Sequence, residues 1–374
     1  MTELFMRELA EVTFDVVQQW EGLAELYIRD GEFVKPGDII KRPKLARTLR
    51  RLAEDGAMDF YTGSLANDIV TELQQAGGHI TMEDLADYRV QWREPLRVPY
   101  QYFDLHLAGP PFGGAVMALA MNIIEHDELI LDDPESVHLL IESWKWAFSD
   151  RMVLGDPAFT ADMDEILNAF VSKDHAQSLR SRISATRTFP VSYYSDLMNV
   201  TRSSKVLEDH GTMHLNVVDR KGNLVALTST INLEWGCKYV GAITGIVYNN
   251  QMDDFSTAGY VNHFGVPPTS PNYIAPGKRP MSSMNPTVIT KRGDPVMAVG
   301  ASGGTRIITS PMQAILNVLS FGLDVGKAIG LSRIHEQLLP DTLSVERGYS
   351  QDLLDSLAEY GHDNVSFYLP QCGC

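Results

Sequence analysis

The chain has 374 residues, 44% of them hydrophobic and 21% charged, enough apolar material for a large core and too much for a disordered or fibrous protein. A formal net charge of −17 excludes general affinity for nucleic acid or an anionic membrane surface, since either polyanion is repelled on average. There is no run of about eighteen apolar residues, and Cys237, Cys372 and Cys374 form neither a disulfide framework nor a zinc spacing.

The opening "MTELFMRELAEVTF" carries acidic residues where a secretory signal would be basic. Up to about Asp209 the texture is mostly helical: "PKLARTLRRLAEDGAMDFYTG" and "SVHLLIESWKWAFSDRMVLGD" repeat apolar residues every three or four positions. Between them, "HITMEDLADYRVQW" predicts a strand end, a helix capped by Thr81 with Asp84 three residues on, and a further strand. "GPPFGG" at Gly109 and "GDPAF" at Gly155 read as turns. The segment "DLMNVTRSSKVLEDHG" is polar and poor in apolar residues, so a cut there costs the core little. Asn199-Val-Thr201 and Asn364-Val-Ser366 match the glycosylation triplet, a common chance pattern.

At Thr212 the texture changes to strands. Thr212 to Val218 alternates Met213, Leu215 and Val217 with His214 and Asn216, the pattern of a half-buried strand; "DRKGN" turns, and Leu224 to Thr230 returns. Further strands are expected at Gly245–Tyr248, Thr287–Thr290 and Val296–Gly300, and helices at Ile307–Ser320 and Val325–Leu331. The loop-rich span "STAGYVNHFGVPPTSPNYIAPGKRP" is long enough to cover a site.

Thr212 stands directly after Gly211. A threonine hydroxyl is a poor nucleophile at neutral pH, but the free α-amine of the same residue can serve as its base once the preceding peptide bond is cut. Glycine suits the position before it, since it permits a strained backbone and leaves its carbonyl open to attack. On this pair alone, a strand-edge threonine after a turn glycine is the plainer reading. His214 is a possible general base two residues on, but the α-amine is nearer, which leaves His214 a packing or processing role. His335 and Glu336 lack a second histidine at metal spacing and read as structural or surface residues.

The downstream segments "TSTINLEWG", "NNQMDDFS", "PMSSMNPT" and "GASGGTRI" follow the Gly-Thr pair in order. Together these resemble the small subunit of the γ-glutamyltranspeptidases, also called glutathione hydrolases, which are N-terminal nucleophile hydrolases. Looser likeness upstream extends the resemblance over about nine-tenths of the chain, and "NLEWGCKYV" and "FGVPPTSPNYIAPGKRP" are similar to animal-type members. The resemblance implies an α/β fold of the four-layer αββα sandwich type. It also implies autocleavage between Gly211 and Thr212 into a large-subunit-like segment, residues 1–211, and a small-subunit-like segment, residues 212–374, that together form one structural unit.

Carried over position by position, the resemblance makes Thr212 the nucleophile and Thr230 its orienting partner. Asn232, Gln251 and Asp254 would hold the ends of a γ-glutamyl group, with Asp254 facing its ammonium, and Ser282 and Ser283 its carboxylate. Gly303 and Gly304 would stabilise the oxyanion through backbone N–H groups, an effect on the order of 3 kcal/mol per donor. The expected substrates are glutathione and other γ-glutamyl compounds, with water, amino acids or dipeptides as acceptors, and with no metal or organic cofactor; the two processed chains would associate with each other. The family generally works outside the cell or on the outer face of the plasma membrane.

Relative to the family pattern, the chain reads as a form truncated at both ends: a signal anchor and an arginine-bearing segment are missing at the start, and after "SVERGYSQDLLDSLAEYGH" it finishes in "VSFYLPQCGC" without the family's closing strands. Arg7, Arg29, Arg42 and Arg47 lie outside the arginine motif, so the sequence assigns no substrate arginine. Two rivals remain at this point: an acylase of the same fold taking a glutaryl group, and an uncleaved, non-catalytic binding or regulatory protein.

Overall fold

A short helix, Glu21–Tyr27 (α1), runs straight into a hairpin of Ile28–Arg29 (β1) and Glu32–Phe33 (β2). Asp30 and Gly31 take φ of 52° and 78°, the positive values that a tight two-residue turn demands. In this computed structural model, which describes residues 14–195 and 211–368, the hairpin belongs to the first of two units, residues 1–92 with 233–250; the second comprises residues 93–232 with 251–374. The polar stretch 196–210, with its Asn199 triplet, and Cys372 and Cys374 lie outside the described residues.

The first unit continues through helices Pro43–Asp55 (α2), Ser64–Gln75 (α3) and Met82–Asp87 (α4). Proline at the start of α2 costs no hydrogen bond there, because a helix's first N–H groups have no internal acceptor. At α4, Thr81 and Asp84 form the expected reciprocal capping box. The strands expected on either side of α4 are absent: residues 88–95 are irregular, and Trp92 is 95% exposed, so no apolar face is buried that would hold a strand in place. Val17, Leu23, Tyr27 and Val34 form a small core with Trp235 against it.

The strand expected at Gly245–Tyr248 reduces to one bridge, Val240 to Val247. The cause is Glu72, a fully buried carboxylate on α3. It accepts hydrogen bonds from the backbone N–H of Ile243 (2.8 Å) and Thr244 (3.2 Å) and from the Tyr248 hydroxyl (2.5 Å), so the loop wraps the charge instead of extending.

The second unit holds the main core. Leu96–Tyr100 (β3) and Phe103–Leu107 (β4) pair with each other, and β4 pairs with Thr287–Lys291 (β7), so Leu105 faces Ile289. Asp294–Val299 (β8) completes an antiparallel sheet in the order β3-β4-β7-β8. Helix Gly114–Ile124 (α5), apolar apart from Asn122, has every residue buried, as a helix apolar nearly all round must, and packs on β3 and β4. Pro134–Asp150 (α6) and Arg306–Leu319 (α7) pack against α5.

Thr212–Val218 (β5) and Leu224–Thr230 (β6) form a separate ribbon with β6 against β7 and β8. Its burial inverts the expectation. Met213, Leu215, Val217, Val225 and Leu227 are exposed, while the Thr212, His214, Thr228 and Thr230 side is partly buried. That polar side meets the sheet closely at Gly300, where a Cβ would lie 2.3 Å from the His214 ring. A last sheet, Ile334–His335 (β9), Leu343–Glu346 (β10) and Val365–Tyr368 (β11), is joined by helix Gln351–Glu359 (α8). Asn364 donates its side-chain amide to the Asp341 carbonyl and to Thr342 Oγ1 (3.0 Å), which makes the second glycosylation triplet part of the fold.

Candidate active site

The register of the ribbon places Thr212 directly opposite Thr230. Their hydroxyl oxygens are 2.8 Å apart, and Thr230 Oγ1 lies 3.1 Å from the Gly211 carbonyl oxygen, to which it donates. A hydroxyl has one proton, so if Thr230 gives it to Gly211, Thr212 must be the donor in the pair between them. The chain of bonds therefore runs from the Thr212 hydroxyl through Thr230 to the carbonyl of the peptide bond preceding Thr212. The Ile231 N–H is a second donor to that carbonyl at 2.9 Å. Thr230 is itself fixed by the Asn232 N–H, which donates to its oxygen at 2.8 Å.

Around this pair the second unit closes a pocket lined by Thr212, Thr230, Asn232, Gln251, Asp254, Ser282, Ser283 and Gly304. Gln251–Asp254 form a single 3-10 turn, in which Gln251 Nε2 donates to the Asp254 carboxylate and Asn272 Nδ2 donates to the Asp254 carbonyl at 2.8 Å. Asn272, a buried residue that the sequence reading did not single out, also accepts from the Met281 N–H at 2.9 Å and so ties the aspartate turn to the serine loop.

The serine loop leans on the "GPPFGG" turn: the Ser282 N–H donates to the Pro111 carbonyl (2.7 Å) and the Gly113 N–H to that of Met284 (3.0 Å). A side chain at Gly113 would sit 2.7 Å from the Ser283 carbonyl oxygen, so this close approach requires glycine. Gly303 and Gly304 take φ of 116° and 58°, and among the described residues neither N–H donates a hydrogen bond. An oxyanion needs unspent N–H donors. Gly303 precedes the pocket wall; Gly304 lines it.

The loop-rich span covers the site as its length suggests, contributing Ser256, Asn262, Phe264, Val266 and Thr269. Sequence reasoning missed Arg151, which also lines the pocket, at the C-terminal end of α6. Its Nη2 lies 3.5 Å from Ser283 Oγ, and its buried Nε has no hydrogen-bond partner. Desolvation pushes its pKa down, and the Asp254 charge partly offsets this.

The remaining candidates have structural employment. His214 bonds Thr228 Oγ1 (2.8 Å) and Asn216 Oδ1 (2.9 Å), and burial lowers its pKa. His335 and Glu336 are buried rather than on the surface. His335 bonds Thr309 Oγ1 and Gln337 Oε1, and burial lowers its pKa to about 3 and raises that of Glu336 to about 8. His138, Glu142 and His362 bring donor atoms within 4.8 Å of one another. There the two His138 nitrogens reach His362 Nε2 and the Ser184 carbonyl, both at 2.8 Å, while Glu142 takes the Thr188 and Tyr194 hydroxyls, which satisfies the group without a cation.

With that geometry in view, the wider likeness is direct: the γ-glutamyltranspeptidase family profile matches residues 2–368. The chain belongs to this family. Glutathione hydrolase 2 of Arabidopsis thaliana is 40% identical over 87% of the chain, and the glutathione hydrolase proenzyme of Escherichia coli (strain K12) is 35% identical over 93%. The chain spans 56% and 60% of the lengths of these two relatives. The crystal structure of a cephalosporin acylase from Bacillus halodurans superimposes with a TM-score of 0.77 at 26% identity, over 98% of this chain and 62% of that one. The family fold is thus the expected α/β, N-terminal nucleophile hydrolase type. Among the described residues no helix is long and apolar enough to cross a membrane.

Proposed function

We propose that the chain is a γ-glutamyl hydrolase and transferase that activates itself by cutting the Gly211–Thr212 bond. The observation that carries this reading is the hydrogen-bonded run from Thr212 Oγ1 through Thr230 to the Gly211 carbonyl. In the first step Thr212 Oγ attacks the Gly211 carbonyl carbon, with Thr230 and the Ile231 N–H donating to the oxygen as it gains charge. The C–N bond breaks, the proton from the hydroxyl ends on the departing nitrogen, and an ester links Gly211 to Thr212. Water hydrolyses the ester, leaving a Gly211 carboxylate and a Thr212 that carries both a hydroxyl and a free α-amine.

The α-amine then serves as base for the same hydroxyl against the γ-amide carbon of glutathione or a related compound. Gly303 and Gly304 offer their N–H groups to the oxyanion, the amine leaves, and water or an acceptor amino acid or dipeptide takes the γ-glutamyl group from the ester. Asp254, with Gln251 and Asn232, binds the ammonium end; Ser282 and Ser283 bind the carboxylate. The two chains, residues 1–211 and 212–374, stay associated, and the reaction takes place outside the cell or at the outer face of its membrane, as the family resemblance implies.

A same-fold acylase for glutaryl groups is the second reading, favoured by the likeness to the cephalosporin acylase. The carboxylate of Asp254 in the pocket speaks for an ammonium-bearing substrate instead. Denaturing electrophoresis and mass spectrometry should find two chains, one starting at Thr212, and release of aniline from a γ-glutamyl anilide should vanish in Thr212→Ala. A chain that stays whole and inactive refutes the proposal; turnover of a glutaryl anilide alone transfers the assignment to the acylase.

A further inference from the structure

The span that covers the pocket and the glycine turn in its wall are joined through one buried side chain, Gln337, just beyond β9. Its Nε2 donates to the Phe264 and Leu339 carbonyls, both at 2.7 Å. Its Oε1 accepts from the Thr305 hydroxyl and, at 2.9 Å, from His335 Nε2. A primary amide has two donor protons and two acceptor sites, so all four are spent, and the two carbonyls fix which way the amide points. Thr305 follows Gly304 directly and precedes α7, while Phe264 sits in the covering span; Gly304, Thr305 and Phe264 all line the pocket. The covering span is tightly turned here. Asn262 Oδ1 accepts from the Phe264 (3.0 Å) and Val266 (2.9 Å) N–H groups, and the Gly265 N–H donates to the Asn262 carbonyl (3.0 Å). A Cβ added to Gly265 would lie 2.5 Å from Pro340 Cδ, so this turn rests on the same loop that carries Gln337.

We infer that Gln337 is a positioning residue that fixes the Gly303–Gly304–Thr305 turn to the covering loop, so that the seating of the loop and the placement of the oxyanion donors are set together. This deepens the γ-glutamyl reading above and rests on it. Gln337 acts through Thr305 on one wall of the pocket and through Phe264 on the other.

The test breaks the tie from each end. Thr305→Val removes the hydroxyl and Gln337→Leu the amide. Each should lower kcat for a γ-glutamyl anilide by about ten- to a hundredfold, the cost of displacing a catalytic group by about an ångström, with KM within about threefold. Because both break one connection, the double variant should be no worse than the poorer single within about twofold, and Thr305→Ser, which keeps the hydroxyl, should recover most of the rate. Amide hydrogen exchange at Phe264, Gly265 and Val266 gives a readout free of chemistry. In Thr305→Val it should quicken about three- to tenfold, the worth of one neutral hydrogen bond, although the substitution lies on the other wall. Losses that multiply in the double variant, or exchange at those three amides unchanged within about 1.5-fold, overturn the inference and leave the γ-glutamyl reading intact. If wild type turns over no γ-glutamyl anilide, the enzymatic reading falls and exchange alone decides the tie: quickened rates support it and unchanged rates overturn it. Should Gln337→Leu not be recovered folded by circular dichroism, the two Thr305 variants carry the test, with loss expected in Thr305→Val and recovery in Thr305→Ser; equal rates in the two overturn the inference.

Discussion

The second unit contains two antiparallel sheets that treat their apolar residues in opposite ways. In the four-stranded sheet, Leu105, Leu107 and Ile289 are fully buried beneath α5, and the strands serve the core. In the β5–β6 ribbon, Met213, Leu215, Val217, Val225 and Leu227 are exposed, while Thr212, Thr228 and Thr230 are turned toward the sheet and the pocket. The difference teaches that one sheet is held by burial, the other by register and hydrogen bonds, with the proposed chemistry placed on the second.

The sharpest way to break that comparison is to remove the Thr230 hydroxyl. Thr230→Val should slow appearance of the two chains by about 10²- to 10³-fold, the loss of one donor to a developing oxyanion, when followed by electrophoresis of freshly made protein. If cleavage keeps its pace, the ribbon's hydrogen bonds are incidental to the chemistry. Next in size, Leu105→Ala should lower the stability of the four-stranded sheet by about 2–5 kcal/mol through cavity formation, measured by chemical denaturation.

A third effect depends on pH and belongs to the β9–β10–β11 side. Unfolded Glu336 loses its proton near pH 4.5, but in the fold burial keeps it to about 8. Between those values the native state holds a proton the unfolded state has released, so stability falls as pH rises, by up to about 1.4 kcal/mol per unit. Glu336→Gln, neutral throughout and still able to accept from the Leu338 N–H, should flatten that decline in melting temperature between pH 5 and 8. A variant whose melting temperature falls as steeply as that of wild type would show that this carboxyl does not govern the slope. Smallest of all, Leu227→Ser on the open side of the ribbon should change stability by no more than about 0.5 kcal/mol. A loss comparable to that of Leu105→Ala would mean the exposed face is in fact covered.

Much of this was legible beforehand because local chemistry decided it. The ribbon, from Thr212 to Thr230, has the bounds that alternation and the "DRKGN" turn dictate, and Thr81 caps its helix. What was illegible depended on long-range burial. Alternation in β5 identifies two faces but not which one meets the core, and the apolar one is outside. Glu72 lies 171 residues before the loop it organises at Ile243, a partnership with no local signature. Arg151 hides in an apolar helical window, where nothing in the spacing separates a pocket guanidinium from an ordinary surface one.

The opposition of Thr212 and Thr230 on the last rung has a consequence for what a severed chain keeps. Of the interstrand ties, the proposed scission would touch the two to the Gly211 carbonyl, from the Ile231 N–H and from Thr230 Oγ1, while the pairs from Met213–Ser229 to Val218–Leu224 would survive. A fresh amino terminus made by that proposed cut would thereby be moored at birth, beside the hydroxyl it is to serve, with no rearrangement of the strand required.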